Sequence, residues 1–350
     1  MSIKKINHGF IFPSAAFTLK KSQINFYNSD LELKAPEIGD VVYGSISYIG
    51  QHSTLENTEG RIHLVNDGTK SVFVFGNRYA PDYYEGLVPS AISQDMHLLS
   101  RSGMIGKVIH KNDKVKDPTK IKIYGYICDK DGNVLNTRNF TKIKIIEPPE
   151  DLIIDKEKRS KLIIVVGTSM NSGKSMTCAM CCWALSSMGH NVRASKITGT
   201  ASLKDILLMS DNGASPVCDF THFGFPSTYM LDQKELFSIF HSIDMKYANN
   251  PKNYWVVEIA DGILQRETSM LLGDTRVTNR AHKIVLSASD AFGAIGGIRI
   301  LNERFGINPD FVSGVCSGSP LGIRELNNEV NIPVINNMIK NLNNISGFLI

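Results

Sequence analysis

Lys161-Leu162-Ile163-Ile164-Val165-Val166 is an apolar run that reads as a buried strand. Gly167-Thr168-Ser169-Met170-Asn171-Ser172-Gly173-Lys174-Ser175 follows it directly, and residues 175–188 then read as a helix. Strand, glycine-bounded loop and helix in that order build a phosphate-binding device, because successive loop N–H groups and the helix N-terminus form a concave positive surface. Lys174 adds a point charge toward the phosphates, and the Ser175 hydroxyl offers a ligand for Mg²⁺. Gly167, Thr168, Ser169, Met170, Asn171, Ser172, Gly173, Lys174 and Ser175 are therefore the expected nucleotide-binding residues, in a P-loop of the Walker A kind. Five residues separate Gly167 from Gly173, one more than in the common form of the loop.

Downstream of the loop, apolar segments at 191–197, 255–259, 284–287 and 311–315 alternate with longer amphipathic stretches, which predicts a mostly parallel sheet flanked by helices. Upstream, from Gly39 to about Ile146, short alternating runs such as Ser71-Val72-Phe73-Val74-Phe75 and Lys120-Ile121-Lys122-Ile123-Tyr124 are broken by turn residues. Asp67-Gly68 and Asp131-Gly132 sit where residues tolerant of positive φ close hairpins. The fold expected is α/β, with a β-rich, small barrel-like domain over 1–146, a linker over 147–160 and the P-loop domain over 161–350. Glu147-Pro148-Pro149-Glu150-Asp151 opens that linker, since each proline removes a backbone donor and restricts its predecessor.

With 42% hydrophobic and 21% charged residues the chain has the composition of a folded globular protein. Its net charge of +4 is too small to argue for nucleic acid, which stays a possible partner that charge does not support. No apolar run approaches the ~18 residues of a membrane span, and the first residues lack the order of a signal peptide, so a cytoplasmic protein without membrane contact is expected. Cys178, Cys181 and Cys182, at i, i+3 and i+4 of the expected helix, read as reduced thiols on an apolar face rather than as metal ligands.

Three further segments carry charge near the ends of the downstream strands: Lys196-Ile197-Thr198-Gly199, Asp205-Ile206-Leu207-Leu208, and Val257-Glu258-Ile259-Ala260-Asp261-Gly262-Ile263-Leu264. Together with the loop, and in this order, they resemble dethiobiotin synthetase and the wider class of P-loop proteins related to it, which includes amidotransferase-like cofactor enzymes and nucleotide-switch ATPases. The resemblance covers roughly 161–337, and Asp290-Ala291-Phe292-Gly293-Ala294-Ile295 looks like the turn after the family's next strand. It implies that Lys196 faces the phosphates and a carboxyl-derived substrate, and that Asp205 and Glu258 help to bind Mg²⁺. The chain departs from the family at Met170 and Asn171, at Asp261, which replaces a glycine, and after Lys196, where a proline is missing. Gly314-Val315-Cys316-Ser317 stands where relatives carry a base-reading asparagine, and the β-rich half has no counterpart, so neither substrate nor base transfers.

The residues also cohere without the family. Lys174, Lys196, Asp205 and Glu258 all end or follow parallel strands, the edge where open sheets hold ligands. Two lysines can hold phosphate charge while Ser175, Asp205 and Glu258 hold a hard cation, which are the parts phosphoryl transfer requires. The expectation is an ATP- and Mg²⁺-dependent ligase or kinase that transfers a phosphoryl group to a carboxylate or carbamate of a small-molecule acceptor, with Lys174 and Lys196 catalytic. The alternative is a nucleotide-switch ATPase or GTPase whose dimerisation and β-rich domain regulate a protein or nucleic-acid partner. A homodimer is expected in either case. His222 reads as an acid or base or as a packed loop histidine. Asp261, Gln265 and Arg266 read as substrate contacts or as an ordinary polar loop. The tyrosine-rich stretch from Gly76 to Glu85 reads as a stacking surface or as a turn over a barrel end.

Overall fold

The computed structural model describes residues 2–93, 95–149 and 152–350. Glu150 and Asp151 of the expected linker lie outside the described residues. The chain divides into two compact units. The first takes residues up to Lys144 together with Thr200–Lys204 and Phe220–Met230, and the second takes Ile145–Gly199, Asp205–Asp219 and Leu231–Ile350.

In the first unit, β1 (Val41–Tyr48), β2 (Lys70–Phe75), β3 (Met96–Leu98), β4 (Met104–Lys111) and β5 (Lys120–Cys128) form a closed ring. β1 pairs antiparallel with β5 and β2, β2 pairs parallel with β4, and β3 pairs antiparallel with both β4 and β5. This ring is the small barrel expected from the alternation. Val42, Ile46, Phe73, Phe75, Leu98, Ile105, Ile121 and Ile123 share one buried cluster. Their neighbours Val41, Tyr43, Val72, Val74 and Met104 belong to another, which includes Ala15, Ala16, Leu19 and Ile24. Residues of period two thus serve two cores, which explains why strands as apolar as 71–75 carry no wet face. The Asp131-Gly132 turn, with Gly132 at φ 91°, lies inside a Cys128–Val134 bridge. The Asp67-Gly68 turn instead feeds β2, which pairs with β1 rather than with the short strand Ile62–Leu64 before it.

The two later segments of this unit are held by specific bonds. Thr200 bridges Ser227, Thr137 Oγ1 donates to Gly224 O at 2.7 Å, and Tyr229 Oη donates to Glu85 Oε1 at 2.7 Å.

The second unit alternates strand and helix: β6 (Lys161–Gly167), α1 (Lys174–Ser187), β7 (Val192–Lys196), α2 (Leu203–Asp211), β8 (Ala214–Asp219), α3 (Gln233–Tyr247), β9 (Tyr254–Glu258), α4 (Arg266–Gly273), β10 (Ala281–Ser287), α5 (Ala291–Phe305) and β11 (Phe311–Ser313). The unit boundary falls in the first turn of α2. Every strand pair is parallel, in the order β8-β7-β9-β6-β10-β11. The sequence pattern hides β8 because Pro216 interrupts it, and its place at the edge is where a strand tolerates proline. The segment expected as a strand over 311–315 ends at Ser313 and turns at Gly314.

Cys178, Cys181 and Cys182 are fully buried with Ile163, Val165, Val256 and Val285, the apolar face expected of them. Burial pushes their thiols up, Cys181 to about 12. No helix among the described residues is long and apolar enough to cross a membrane.

Candidate nucleotide-binding site

Parallel pairing in register brings the last residues of the strands to one edge. Gly167 ends β6 opposite Ser287, the end of β10, and Lys196 ends β7 opposite both Glu258, the end of β9, and Asp219, the end of β8. The phosphate loop leaves this edge and α1 starts at Lys174, with Gly173 as its N-cap at φ 95°. A Cβ at Gly173 would lie 2.8 Å from Gly314 Cα, so the glycine satisfies both the left-handed backbone and the close approach. Gly314, also at φ 95°, could carry no Cβ either, since that atom would fall 2.3 Å from Ser172 O. Val315 N donates to the same Ser172 carbonyl at 3.1 Å, which fixes the loop from the end of β11.

Beneath the loop, Thr177 Oγ1 donates to Gly173 O at 3.1 Å and accepts from Ser287 Oγ and Asn337 Nδ2, each at 3.1 Å. Lys174 is buried and its Nζ donates to Ser169 O at 2.8 Å, folding the lysine back over its own loop. Burial holds its pKa below the ordinary lysine value, and the Glu258 and Asp261 carboxylates offset part of that effect.

Beside the loop, Lys196 Nζ hydrogen-bonds Asp205 Oδ2 and lies 3.9 Å from Glu258 Oε1. Both strand-end residues are buried, Lys196 with 7% and Glu258 with 2% of its surface exposed. Burial alone would lower the lysine's pKa, but the Asp205 and Glu258 charges and the hydrogen bond to Asp205 outweigh it and leave the pKa raised. The Glu258 carboxyl is also raised, by burial first, against the pull of Lys196 and Lys174 and a hydrogen bond from Ser175.

Glu258 Oε2 has no hydrogen-bond partner. A buried polar oxygen left in that state costs roughly 1–3 kcal/mol, which a hard cation bound by carboxylate and hydroxyl oxygens would relieve. Ser175, Asp205 and Glu258 are the oxygen ligands that could hold such a cation at this edge, and Gly167, like Gly173, has no room for a Cβ, which would fall 2.3 Å from Ser172 Oγ.

Other expected contacts have different roles. Gln265 is the N-cap of α4 and accepts from Thr268 N at 3.0 Å, while Arg266 Nη1 donates to Leu231 O at 2.7 Å and to Glu267 Oε1 at 2.5 Å. Both residues therefore take part in the start of α4. His222 belongs to the first unit, where its carbonyl accepts from Lys142 N at 2.7 Å and its ring packs 4.9 Å from that of Phe17, the packed histidine of the two readings. The tyrosine-rich stretch is a short hairpin, Arg78–Tyr79 against Tyr84–Leu87. Asp290 caps α5 by accepting from Gly293 N at 2.6 Å. Sequence reasoning missed Thr177, Ser287 and Asn337 as supports of the loop. The signal in sequence for the close approach of Gly314 to the loop is a glycine directly after a strand.

A glycine-bounded loop between a central parallel strand and its helix, with lysine and serine at the helix start, defines a P-loop nucleotide-binding fold. Among solved structures the chain is similar to the signal recognition particle receptor FtsY from Elizabethkingia anophelis in complex with GDP (16% identity over 53% of this chain and 58% of that one, TM-score 0.35). It is also similar to chloroplast FtsY from Physcomitrella patens (13%, 53% and 62%, TM-score 0.36) and to a DUF1611 family protein from Anabaena variabilis (14%, 63% and 62%, TM-score 0.37). The chain spans 58% to 64% of the length of these and two further FtsY structures that it is similar to. No protein-family model and no curated protein matches it.

Proposed function

We propose that this protein is a nucleotide switch: it binds a nucleoside triphosphate with Mg²⁺ at 167–175, hydrolyses it, and passes the state of the site along its own chain to the barrel unit. One observation carries the reading. Lys196 and Asp205 form the ion pair of the site, yet residues 200–204 between them belong to the first unit. A shift of the Asp205 backbone relative to Lys196 would carry 200–204 with it, and a segment shared in this way is the kind of element a switch requires.

The residues divide the work. Loop N–H groups and the start of α1 bind phosphate oxygens, Lys174 holds charge on the transferred group, and Thr177, Ser287 and Asn337 keep the loop in shape. Ser175, Asp205 and Glu258 hold the metal, whose contribution when bound is to neutralise charge on the phosphates. The test is hydrogen exchange at 200–204 with Mg·ATP, Mg·GTP and the two diphosphates. Protection that differs between triphosphate and diphosphate supports the switch, and identical exchange in all four states sinks it.

Lys196 favours a second reading, phosphoryl transfer to a carboxylate or carbamate. A second lysine at the same strand edge would act on negative charge as it spreads during transfer. Stoichiometric formation of a phosphorylated or condensed product from a small acid separates that reading from hydrolysis.

A further inference from the structure

The ends of the paired strands β7 and β9 and the first turn of α2 bring two carboxylates to one ammonium, that of Lys196. Asp205 and Glu258 both face Lys196, and Lys174, the other cation beside Glu258, has its Nζ committed to Ser169 O. A buried carboxylate beside a half-buried one calls for a counter-cation, because their mutual repulsion and the lost hydration of Glu258 disfavour two negative charges together. Lys196 supplies that cation. A divalent ion brought to the same oxygens would add two positive charges beside a third, and like charges in a dry site repel strongly. The lysine and the metal are therefore competitors for the same two carboxylates. Gly199, at φ 127°, keeps the end of the lysine uncrowded, since a Cβ there would lie 3.0 Å from Lys196 Cε and 3.4 Å from its Nζ.

We infer that Lys196 is a placeholder cation, which holds Asp205 and Glu258 in position while the site lacks its metal and is freed toward the phosphates only when a divalent cation takes its place. This rests on the metal assignment made under the proposed function and deepens it: the second lysine is inactive by default and becomes available only in the metal-loaded site. Nucleotide arriving without metal would then meet a lysine still bound to its carboxylates.

The experiment measures Mn²⁺ binding to the nucleotide-free, full-length protein by electron paramagnetic resonance. Lys196→Met removes the competitor and keeps the side-chain length, so Mn²⁺ affinity should rise about 10-fold or more, the equivalent of one ion pair no longer broken on binding. Affinity equal to or weaker than wild type overturns the idea. Adding Glu258→Gln to Lys196→Met should abolish the gain, and a gain that survives places the metal elsewhere and also overturns it. A wild-type arm does not depend on the variant folding: acylation of Lys196, followed by mass spectrometry, should accelerate on saturating Mn²⁺, and an unchanged rate counts against the placeholder. Failure of the switch reading would appear separately, as unchanged exchange at 200–204, while the Mn²⁺ result could still stand.

Discussion

Lys196 and Glu258 are register partners on adjacent parallel strands, with Nζ 3.9 Å from Oε1 at the carboxyl edge of the sheet. A slip of one residue between β7 and β9 would send one side chain to the opposite face, so the pairing of the sheet itself sets the geometry of the site. Glu258→Gln keeps shape and removes charge. It should weaken the Mg²⁺ dependence of nucleotide affinity, because a hard cation prefers ionised oxygen, while Mg²⁺-free nucleotide binding changes little. Calorimetry with and without Mg²⁺ reads both, and a wild-type Mg²⁺ titration would remove Glu258 from the metal site.

Lys174→Ala should abolish detectable nucleotide binding while the protein stays folded. The side chain is the loop's own cation, and its Nζ donates to Ser169 O within the same loop, so the hydrogen bond lost is local to the loop. Unchanged ATP and GTP affinity by calorimetry would overturn the phosphate-loop assignment.

The parts of this site legible in the sequence are those written locally. A glycine-lysine-serine loop after an apolar run needs no tertiary information, and Glu258 could be read as a strand end because Tyr254–Val257 before it is all apolar, whereas Lys196 ends a mixed strand, Val192–Lys196. What stayed illegible depends on contacts distant in sequence. Gly314 closes on Ser172, Asn337 reaches Thr177 across 160 residues, and 200–204 and 220–230 pack with the barrel unit. No periodicity encodes those. A polar pair such as Gln265 and Arg266 after a site strand looks the same in sequence whether it caps a helix or reads a ligand.

Stability of the second unit should depend on Asp244. It is fully buried on α3 and its Oδ1 accepts from Arg280 Nε at 3.2 Å and Nη2 at 3.0 Å, while Arg280 also donates to Ser160 O. Asp244→Ala strands a buried guanidinium and should cost about 3–5 kcal/mol. Both tryptophans, Trp183 and Trp255, lie in the second unit, so tryptophan fluorescence in urea reports that unit alone. Replacing both partners, Asp244→Leu with Arg280→Met, should recover much of the loss. A single Asp244→Ala within 1 kcal/mol of wild type, on the scale where ordinary surface changes fall, would contradict this account.

In the first unit, burial and the neighbouring Arg78 guanidinium push His52 down to about 3 from 6.5, and Arg78 Nη1 lies 2.9 Å from its Nε2. The folded state therefore favours neutral imidazole. The stability this contributes is complete above pH 6.5 and is lost as pH falls from there toward 3. A His52 ring-proton titration by NMR should show no transition near 6.5, and His52→Asn should flatten the acid side of the unit's stability profile. A midpoint at the ordinary histidine value would mean that the ring is solvated.

The last prediction separates hydrolysis by a switch from transfer to an acceptor, and it rests on what Lys196 does once it is free of its carboxylates. If the lysine meets charge that develops only during transfer, Lys196→Ala should lower turnover by ~10²-fold or more and change nucleotide affinity by less than ~10-fold, the pattern of an electrostatic group used in the transition state. The loss should persist with candidate carboxylate or carbamate acceptors present, and product formed on the acceptor should fall in step with phosphate release. In a switch, the lysine matters instead through its pairing with Asp205 and the chain at 200–204. Lys196→Ala should then leave basal hydrolysis within a few-fold and erase the difference in exchange between triphosphate and diphosphate states. The paired measurement is turnover by phosphate release and exchange by mass spectrometry on one preparation. Loss of turnover with intact exchange differences would favour the transferase, and intact turnover with lost exchange differences would favour the switch. Equal losses in binding and rate would confine Lys196 to ground-state phosphate binding, leaving both readings without their support from this residue.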